Sequence, residues 1–140
     1  MPTSETREDQ LAKVPLFRGL SHRQLRDISS LMTPLDLKAG RVLTREGEIG
    51  NEFLIVLEGE VEVVHEGEVI TTCGPGNYFG EIALLDNRPR TATVKAKTDV
   101  VVEVLDRREL AALLEKSPEI CMQIMATMAQ RLADLDRDTS

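Results

Sequence analysis

Residues 78–94 read YFGEIALLDNRPRTATV, and this stretch decides both the fold and the chemistry expected of the chain. Gly80 lets the backbone approach a ligand closely. The apolar run after it predicts one short helix, whose first N–H groups attract an anion. Arg90 adds a planar, permanently charged fork suited to phosphate oxygens, and Glu81 is a carboxylate that can accept hydrogen bonds from a sugar hydroxyl. This stretch, which we call the cassette, predicts a site for a phosphate beside a sugar.

The overall charge of the chain sharpens this expectation. The 140 residues carry a formal net charge of −7, which disfavours non-specific DNA binding because that requires a basic face. An acidic protein that binds an anion must build a local positive site. Arg90 and the helix N-terminus can supply that site, whereas we expect Arg88 to lie on the surface.

Other kinds of site find little support in the composition. Cys73 and Cys121 form neither a disulfide framework nor a CxxC pair, which favours a reduced, cytoplasmic setting. The two histidines, His22 and His65, are too few for a multi-histidine metal site, and no spacing indicates a nucleophile with its base. The first ten residues lack the blocks of a signal peptide, and no apolar run approaches membrane-spanning length. We therefore expect no enzyme, no metal and no membrane contact from this segment.

The first third of the chain predicts helices followed by strands. Residues 1–15 are expected to form a lead-in anchored by Leu11 and Val14, ahead of one domain over 16–140. Ser21 is a plausible N-cap for a helix through Met32, which Pro34 would end.

The middle of the chain predicts a β-barrel or sandwich. Glycine-rich turns separate its short apolar or alternating runs, and residues 66–67 are expected to form a hairpin turn. These runs cover residues 42–43, 53–57, 61–64, 69–73, 92–96 and 100–105.

The last third returns to helical spacing. Asp106 can cap a helix with Leu110, Leu113 and Leu114 facing inward. Ser117 and the proline after it start a second helix, expected to run to about residue 136.

The cassette resembles the phosphate-binding cassette of cyclic-nucleotide-binding domains. That family includes the catabolite activator protein, protein kinase A regulatory subunits and cyclic-nucleotide-gated channels. Its pattern runs F-G-E-(I/L)-A-L, a spacer, then P-R-(T/S/A)-A-T-V, and residues 79–94 match it without a gap. A looser resemblance extends from about Leu16 to Leu135. It implies a mainly β fold with flanking helices: a jelly-roll-like β-roll, a cassette helix, an N-terminal helical segment and two C-terminal helices.

The resemblance also implies a set of ligand-binding residues. Arg90 would hold the cyclic phosphate and Glu81 the ribose 2′-hydroxyl, while Thr91 would touch the phosphate or the base. Core packing alone would also explain the three strand residues of the set, and residues 135–136 depart from the catabolite activator protein where it contacts adenine. The full set is Gly80, Glu81, Ile82, Ala83, Arg90, Thr91, Ala92, Val63, Ile70, Cys73 and Arg131.

The function implied is that of a sensor that binds cyclic AMP and couples it to movement of the C-terminal helices. A cyclic GMP sensor is one alternative, because threonine follows Arg90 in members of either preference. The chain could also be the ligand-binding fragment of a transcription regulator or other larger receptor, or a dimerising module with a degenerate pocket. Expected partners are the cyclic nucleotide and either a second copy, through the last helix, or an unidentified effector protein. No cofactor and no nucleic acid are expected for this segment.

Overall fold

A computed structural model of the chain describes residues 7–80 and 89–139. Within the last helix, the side chains of residues 131, 132 and 134–139 lie outside this description. The chain divides into two compact units, and the predicted cassette helix falls in the part that is not described. One unit spans residues 32–110, and the other combines residues up to 31 with residues from 111 onward.

The unit of residues 32–110 consists of two antiparallel sheets. Four strands form each sheet within the described residues, in the orders β1-β8-β3-β6 and β2-β7-β4-β5. This architecture confirms the β-roll that the resemblance implied, and it agrees with the β-barrel or sandwich expected from the alternating runs. The strands are β1 (Thr33–Leu37), β2 (Val42–Thr44), β3 (Glu52–Glu58), β4 (Val61–His65), β5 (Glu68–Cys73), β6 (Tyr78–Phe79), β7 (Thr93–Ala96) and β8 (Val100–Asp106).

The core of this unit follows from the two-residue period of its strands, since alternate side chains share a face. In the first sheet Leu54 pairs with Val104, and in the second Val61 pairs with Ala96. All four side chains are buried in one cluster, while Lys95, which lies between two buried residues of β7, is exposed. The cluster comprises Leu54, Val56, Val61, Val94, Ala96, Val100, Val102 and Val104.

The hairpin between β4 and β5 turns where the sequence predicted. Glu66 and Gly67 both have positive φ, 51° and 82°, as a two-residue hairpin turn of the primed type requires. Further along, Val63 pairs with Thr71 but Val64 pairs with Val69. Ile70 is therefore an extra residue in β5, and the hairpin contains a β-bulge that the sequence did not predict.

The second unit is helical. Ser21 caps α2 as predicted: its hydroxyl accepts from the Gln24 N–H, and the Gln24 side chain accepts from the Ser21 N–H. Leu11 and Val14 are buried, as expected of anchors. The helices are α1 (Arg7–Ala12), a 3₁₀ turn (Pro15–Phe17), α2 (His22–Ser29), α3 (Arg107–Lys116), which starts in the first unit, and α4 (Pro118–Thr139).

The expected end of α2 was wrong. The helix stops at Ser29, and Pro34 lies in β1 instead of terminating a helix at Met32. The Ser30 hydroxyl donates to the Asp27 carbonyl, a local bond that competes with helix continuation. Pro34 is tolerated in the sheet because β1 is an edge strand, paired only with β8.

The C-terminal helices begin as predicted, with one error in the buried face. Asp106 accepts from the Glu109 N–H while the Glu109 carboxylate accepts from the Asp106 N–H, a reciprocal cap at the start of α3. Leu113 is fully buried, but Leu114 is 54% exposed and does not face inward. Adjacent helical residues point about 100° apart, so burying Leu113 turns Leu114 towards solvent. In α4, burial raises the pKa of the Cys121 thiol, so that this cysteine stays protonated.

Candidate ligand-binding site

Gly80 enters the cassette in a conformation that favours glycine. The strand β6 pairs with β3 through Phe79 and Leu54 and delivers the chain to Gly80, whose φ is +86°. A Cβ at this position would overlap the Glu52 carbonyl oxygen and Nη1 of Arg90. Both the backbone conformation and the lack of space therefore demand glycine here.

Arg90 is held by its backbone against the loop between β2 and β3. Its N–H donates to the Glu48 carbonyl at 2.9 Å, and its own carbonyl accepts from the Gly47 N–H at 2.8 Å. Ile49 and Pro89 add an isolated antiparallel bridge beside these bonds. The backbone of Arg90 is thereby fixed next to Gly47 and Glu48, which lie more than forty positions earlier in the sequence.

The guanidinium of Arg90 lies beside Gly80. Its Nη2 donates to the Glu52 carbonyl at 2.7 Å, and Nη1 lies against Gly80. A guanidinium carries five N–H donors in one plane. The structure therefore brings together the two cassette residues on which the predicted phosphate site depends, as far as they are described.

The residues after Arg90 are held by a polar cluster that the sequence did not reveal. The Thr91 carbonyl lies 3.0 Å from His65 Nδ1, which is also 3.2 Å from Glu46 Oε2. The Thr91 side chain is exposed, and Ala92 is half-buried. No sequence motif marked His65 or Glu46, because this contact depends on bringing the β4–β5 hairpin next to the cassette.

The three strand residues expected to line a pocket differ in exposure. Val63 and Cys73 are half-buried, and their partners Val94 and Val61 in the ladder belong to the core cluster. Directly paired residues share a face of the sheet, so both face the interior of the roll. Ile70, the bulge residue, is 60% exposed. Their contact with a ligand stays a prediction.

The remaining predicted site residues cannot be placed. Glu81, Ile82 and Ala83 lie outside the described residues. Arg131 belongs to α4 in the helical unit, and its side chain is likewise not described. Their ligand roles therefore stay predictions.

Neither a membrane-spanning helix nor a metal-binding cluster occurs in the described part of the chain. No helix within residues 7–80 and 89–139 is both long and apolar enough to cross a membrane. In the same ranges, no three or more histidine, cysteine, aspartate or glutamate side chains are grouped so that they could hold a metal ion.

The sequence around Gly80 and Arg90 matches that of a known protein family. Residues 34–117, more than half of the chain, match the family described as cyclic nucleotide-binding domain. The chain belongs to this family. The matched range contains the whole cassette and both sheets except Thr33, the first residue of β1, so the resemblance noted in the cassette extends over the fold around it.

Individual relatives support the family assignment. The chain is 37% identical over 121 residues to a cyclic nucleotide-gated potassium channel of Rhizobium etli, covering 86% of this chain and 34% of the channel. It is also 37% identical over 108 residues to a cAMP-dependent protein kinase regulatory subunit of Schizosaccharomyces pombe. This match covers 76% of this chain and 26% of the regulatory subunit. The chain thus spans about a third or less of these relatives.

A solved structure shows the same fold. PfPKA-R with cAMP bound superposes on this chain with a TM-score of 0.71 and 30% sequence identity, over 93% of this chain and 46% of that one. The fold is therefore that of a cyclic-nucleotide-binding β-roll.

Proposed function

We propose that this chain is a sensor domain that binds cyclic AMP reversibly at the cassette. The observation that carries the proposal is the Arg90 guanidinium, held against the Glu52 carbonyl and beside Gly80. A planar guanidinium can hold two phosphate oxygens at once. Glu81 would accept from the ribose 2′-hydroxyl, and Arg90 between the two would relieve the repulsion of its carboxylate from the phosphate.

The other predicted site residues complete the proposed pocket. The Gly80 backbone, Ile82 and Ala83 would surround the phosphate together with Ala92. Val63, Ile70 and Cys73 would contact the purine and ribose. Thr91 would reach the phosphate or the base, and Arg131 would approach the ligand from α4.

The choice of cyclic AMP over cyclic GMP rests on the relatives. The Schizosaccharomyces pombe relative is the regulatory subunit of a cAMP-dependent kinase, and the PfPKA-R structure contains cAMP. Cyclic GMP is the alternative ligand, because the Thr91 hydroxyl can form a hydrogen bond with either base.

Parallel calorimetric titrations with the two nucleotides test the proposed ligand. We expect saturable binding of one nucleotide per chain, with the lower dissociation constant for cyclic AMP. A lower dissociation constant for cyclic GMP would reverse the assignment of the base. Absence of saturable binding by either nucleotide would contradict the sensor function and favour a dimerising module with a degenerate pocket.

The proposed output is a movement of the C-terminal helices, and the domain acts by binding rather than as an enzyme. A ligand can shift α3 and α4 only as far as it binds one of their arrangements more tightly than another. We expect saturating cyclic AMP to change amide hydrogen exchange in α3 and α4, besides slowing exchange in the cassette. Protection confined to the cassette and β-strands would show that the helices do not respond.

The partner of α4 is a second copy of the chain or an unidentified effector protein. Apolar side chains of α4 that reach solvent are consistent with either; among the described residues they are Met122, Met125, Ala126, Ala129 and Ala133. Measuring the molecular mass in solution distinguishes these alternatives. The proposed setting is the cytoplasm, in keeping with two cysteines that form no disulfide. A larger receptor, including a transcription regulator, would supply its own output domain.

A further inference from the structure

Gly50 is a glycine whose backbone does not explain its presence. Its φ lies outside the left-handed region, unlike that of Gly47 in the same loop, which is +84°. A Cβ at Gly47 would meet nothing within 4 Å, so the turn alone accounts for that glycine. The presence of glycine at position 50 therefore needs another explanation.

A side chain at Gly50 would displace the guanidinium of Arg90. A Cβ at this position would lie 2.7 Å from Nη2, 2.8 Å from Nε and 3.1 Å from Cζ. The first two separations are shorter than a carbon atom tolerates. The bare backbone of Gly50 is therefore one of the surfaces against which the guanidinium packs.

Gly50 acts together with its neighbours in the loop. The Glu52 carbonyl accepts from Nη2 at 2.7 Å, and the Glu48 carbonyl and Gly47 N–H fix the Arg90 backbone. Residues 47–52 thus bond to Arg90 at its main chain and at Nη2, and the Gly50 backbone lies beside its guanidinium. This segment controls where the fork of Arg90 points.

We propose that Gly50 is a positioning residue for the anion site, setting the orientation of the Arg90 guanidinium before a ligand arrives. The inference rests on the proposed function and deepens it. A forked contact with two phosphate oxygens requires the plane of the guanidinium to be oriented correctly. Packing against Gly50 fixes that plane in advance, so that less conformational freedom is lost when the phosphate binds.

The test compares Gly50→Ala with Gly74→Ala. Gly74 also lies outside the left-handed region, and its Cβ would meet only the Gly59 carbonyl, at 3.9 Å. We expect Gly50→Ala to weaken cyclic AMP binding about tenfold and Gly74→Ala to change it less than about twofold. In the Arg90→Ala background, Gly50→Ala should change the affinity less than about twofold, because the group it displaces is gone.

A spectroscopic readout separates positioning from a general loss of structure. The Nε–H resonance of Arg90 can be assigned by its disappearance in Arg90→Ala. In the protein without ligand, Gly50→Ala should shift this resonance and Gly74→Ala should not. An unshifted resonance, or a full affinity loss in the Arg90→Ala background, would overturn the inference.

The outcomes also distinguish this inference from the proposed function. If the wild-type chain binds no cyclic nucleotide, the proposed function fails. If it binds and Gly50→Ala binds equally well, only the role of Gly50 fails. Should Gly50→Ala not fold, adding Arg90→Ala should restore folding by removing the overlap. A double variant that also fails to fold would overturn the inference.

Discussion

Replacement of Arg90 by alanine is expected to weaken cyclic AMP binding by about 100-fold while the chain stays folded. The substitution removes the charged fork but leaves the backbone bonds from Arg90 to Gly47 and Glu48 in place. The loss is large because the chain carries a net charge of −7, so its overall field opposes the bound phosphate. Calorimetry gives the affinity, and thermal unfolding followed by circular dichroism reports the fold.

A matched control removes the same charge elsewhere. Arg41 is an exposed arginine in the turn before β2, and Arg41→Ala removes one positive charge, as Arg90→Ala does. We expect this variant to bind cyclic AMP within about threefold of wild type, since an exposed distant charge is screened by salt. Equal losses in the two variants would mean that Arg90 acts only through the general field and not as a phosphate ligand.

Gly80→Ala is expected to lower the free energy of unfolding by about 2 kcal/mol or more and to weaken cyclic AMP binding at least about tenfold. Two costs add at this position. Alanine is strained at a φ of +86°, and its Cβ overlaps the Glu52 carbonyl and Nη1 of Arg90. The second cost acts on the guanidinium itself, so affinity should fall together with stability.

Gly67→Ala isolates the first of these costs. Gly67 has nearly the same φ, +82°, but a Cβ there would meet nothing within 4 Å. We expect it to lose about 1 kcal/mol of stability from the strained backbone and to keep its cyclic AMP affinity. Chemical denaturation and calorimetry on both variants measure the difference. A Gly80→Ala variant no less stable than Gly67→Ala would contradict the described packing of Arg90 against Gly80.

Features set by neighbouring residues could be predicted from the sequence. The cap at Ser21 involves a partner three residues away, and the hairpin turn at Glu66 and Gly67 joins adjacent strands. Alternation along β7 likewise predicted which of its side chains are buried. Each of these depends on local hydrogen bonds or on the period of one strand.

Features set by how strands and helices align with one another could not be predicted in this way. The proline at position 34 was expected to stop a helix, but its place at a sheet edge depends on β8, about seventy residues later. The bulge at Ile70 depends on how β5 aligns with β4. The exposure of Leu114 depends on which face of α3 is buried. Hydrophobicity alone does not fix these alignments.

The same division applies to the candidate site. Gly80 and Arg90 lie in one short stretch of distinctive residues, so the sequence pointed to both. The groups that hold Arg90 come from the loop between β2 and β3 and from the start of β3, and one of them is the backbone carbonyl of Glu52. Every residue has a backbone carbonyl, so the sequence does not show which one will accept a bond from Arg90. Gly50 resembled an ordinary turn glycine until the position of the guanidinium was known.

The most direct test of a phosphate-centred cyclic-nucleotide site is a calorimetric titration of the wild-type chain with cyclic AMP and, separately, with adenosine. The two ligands share base and ribose, and only cyclic AMP carries the phosphate that Arg90 would hold. We expect saturable binding of one cyclic AMP per chain and about 100-fold weaker binding of adenosine. Equal affinities for the two ligands, or no saturable binding of cyclic AMP, would contradict the account.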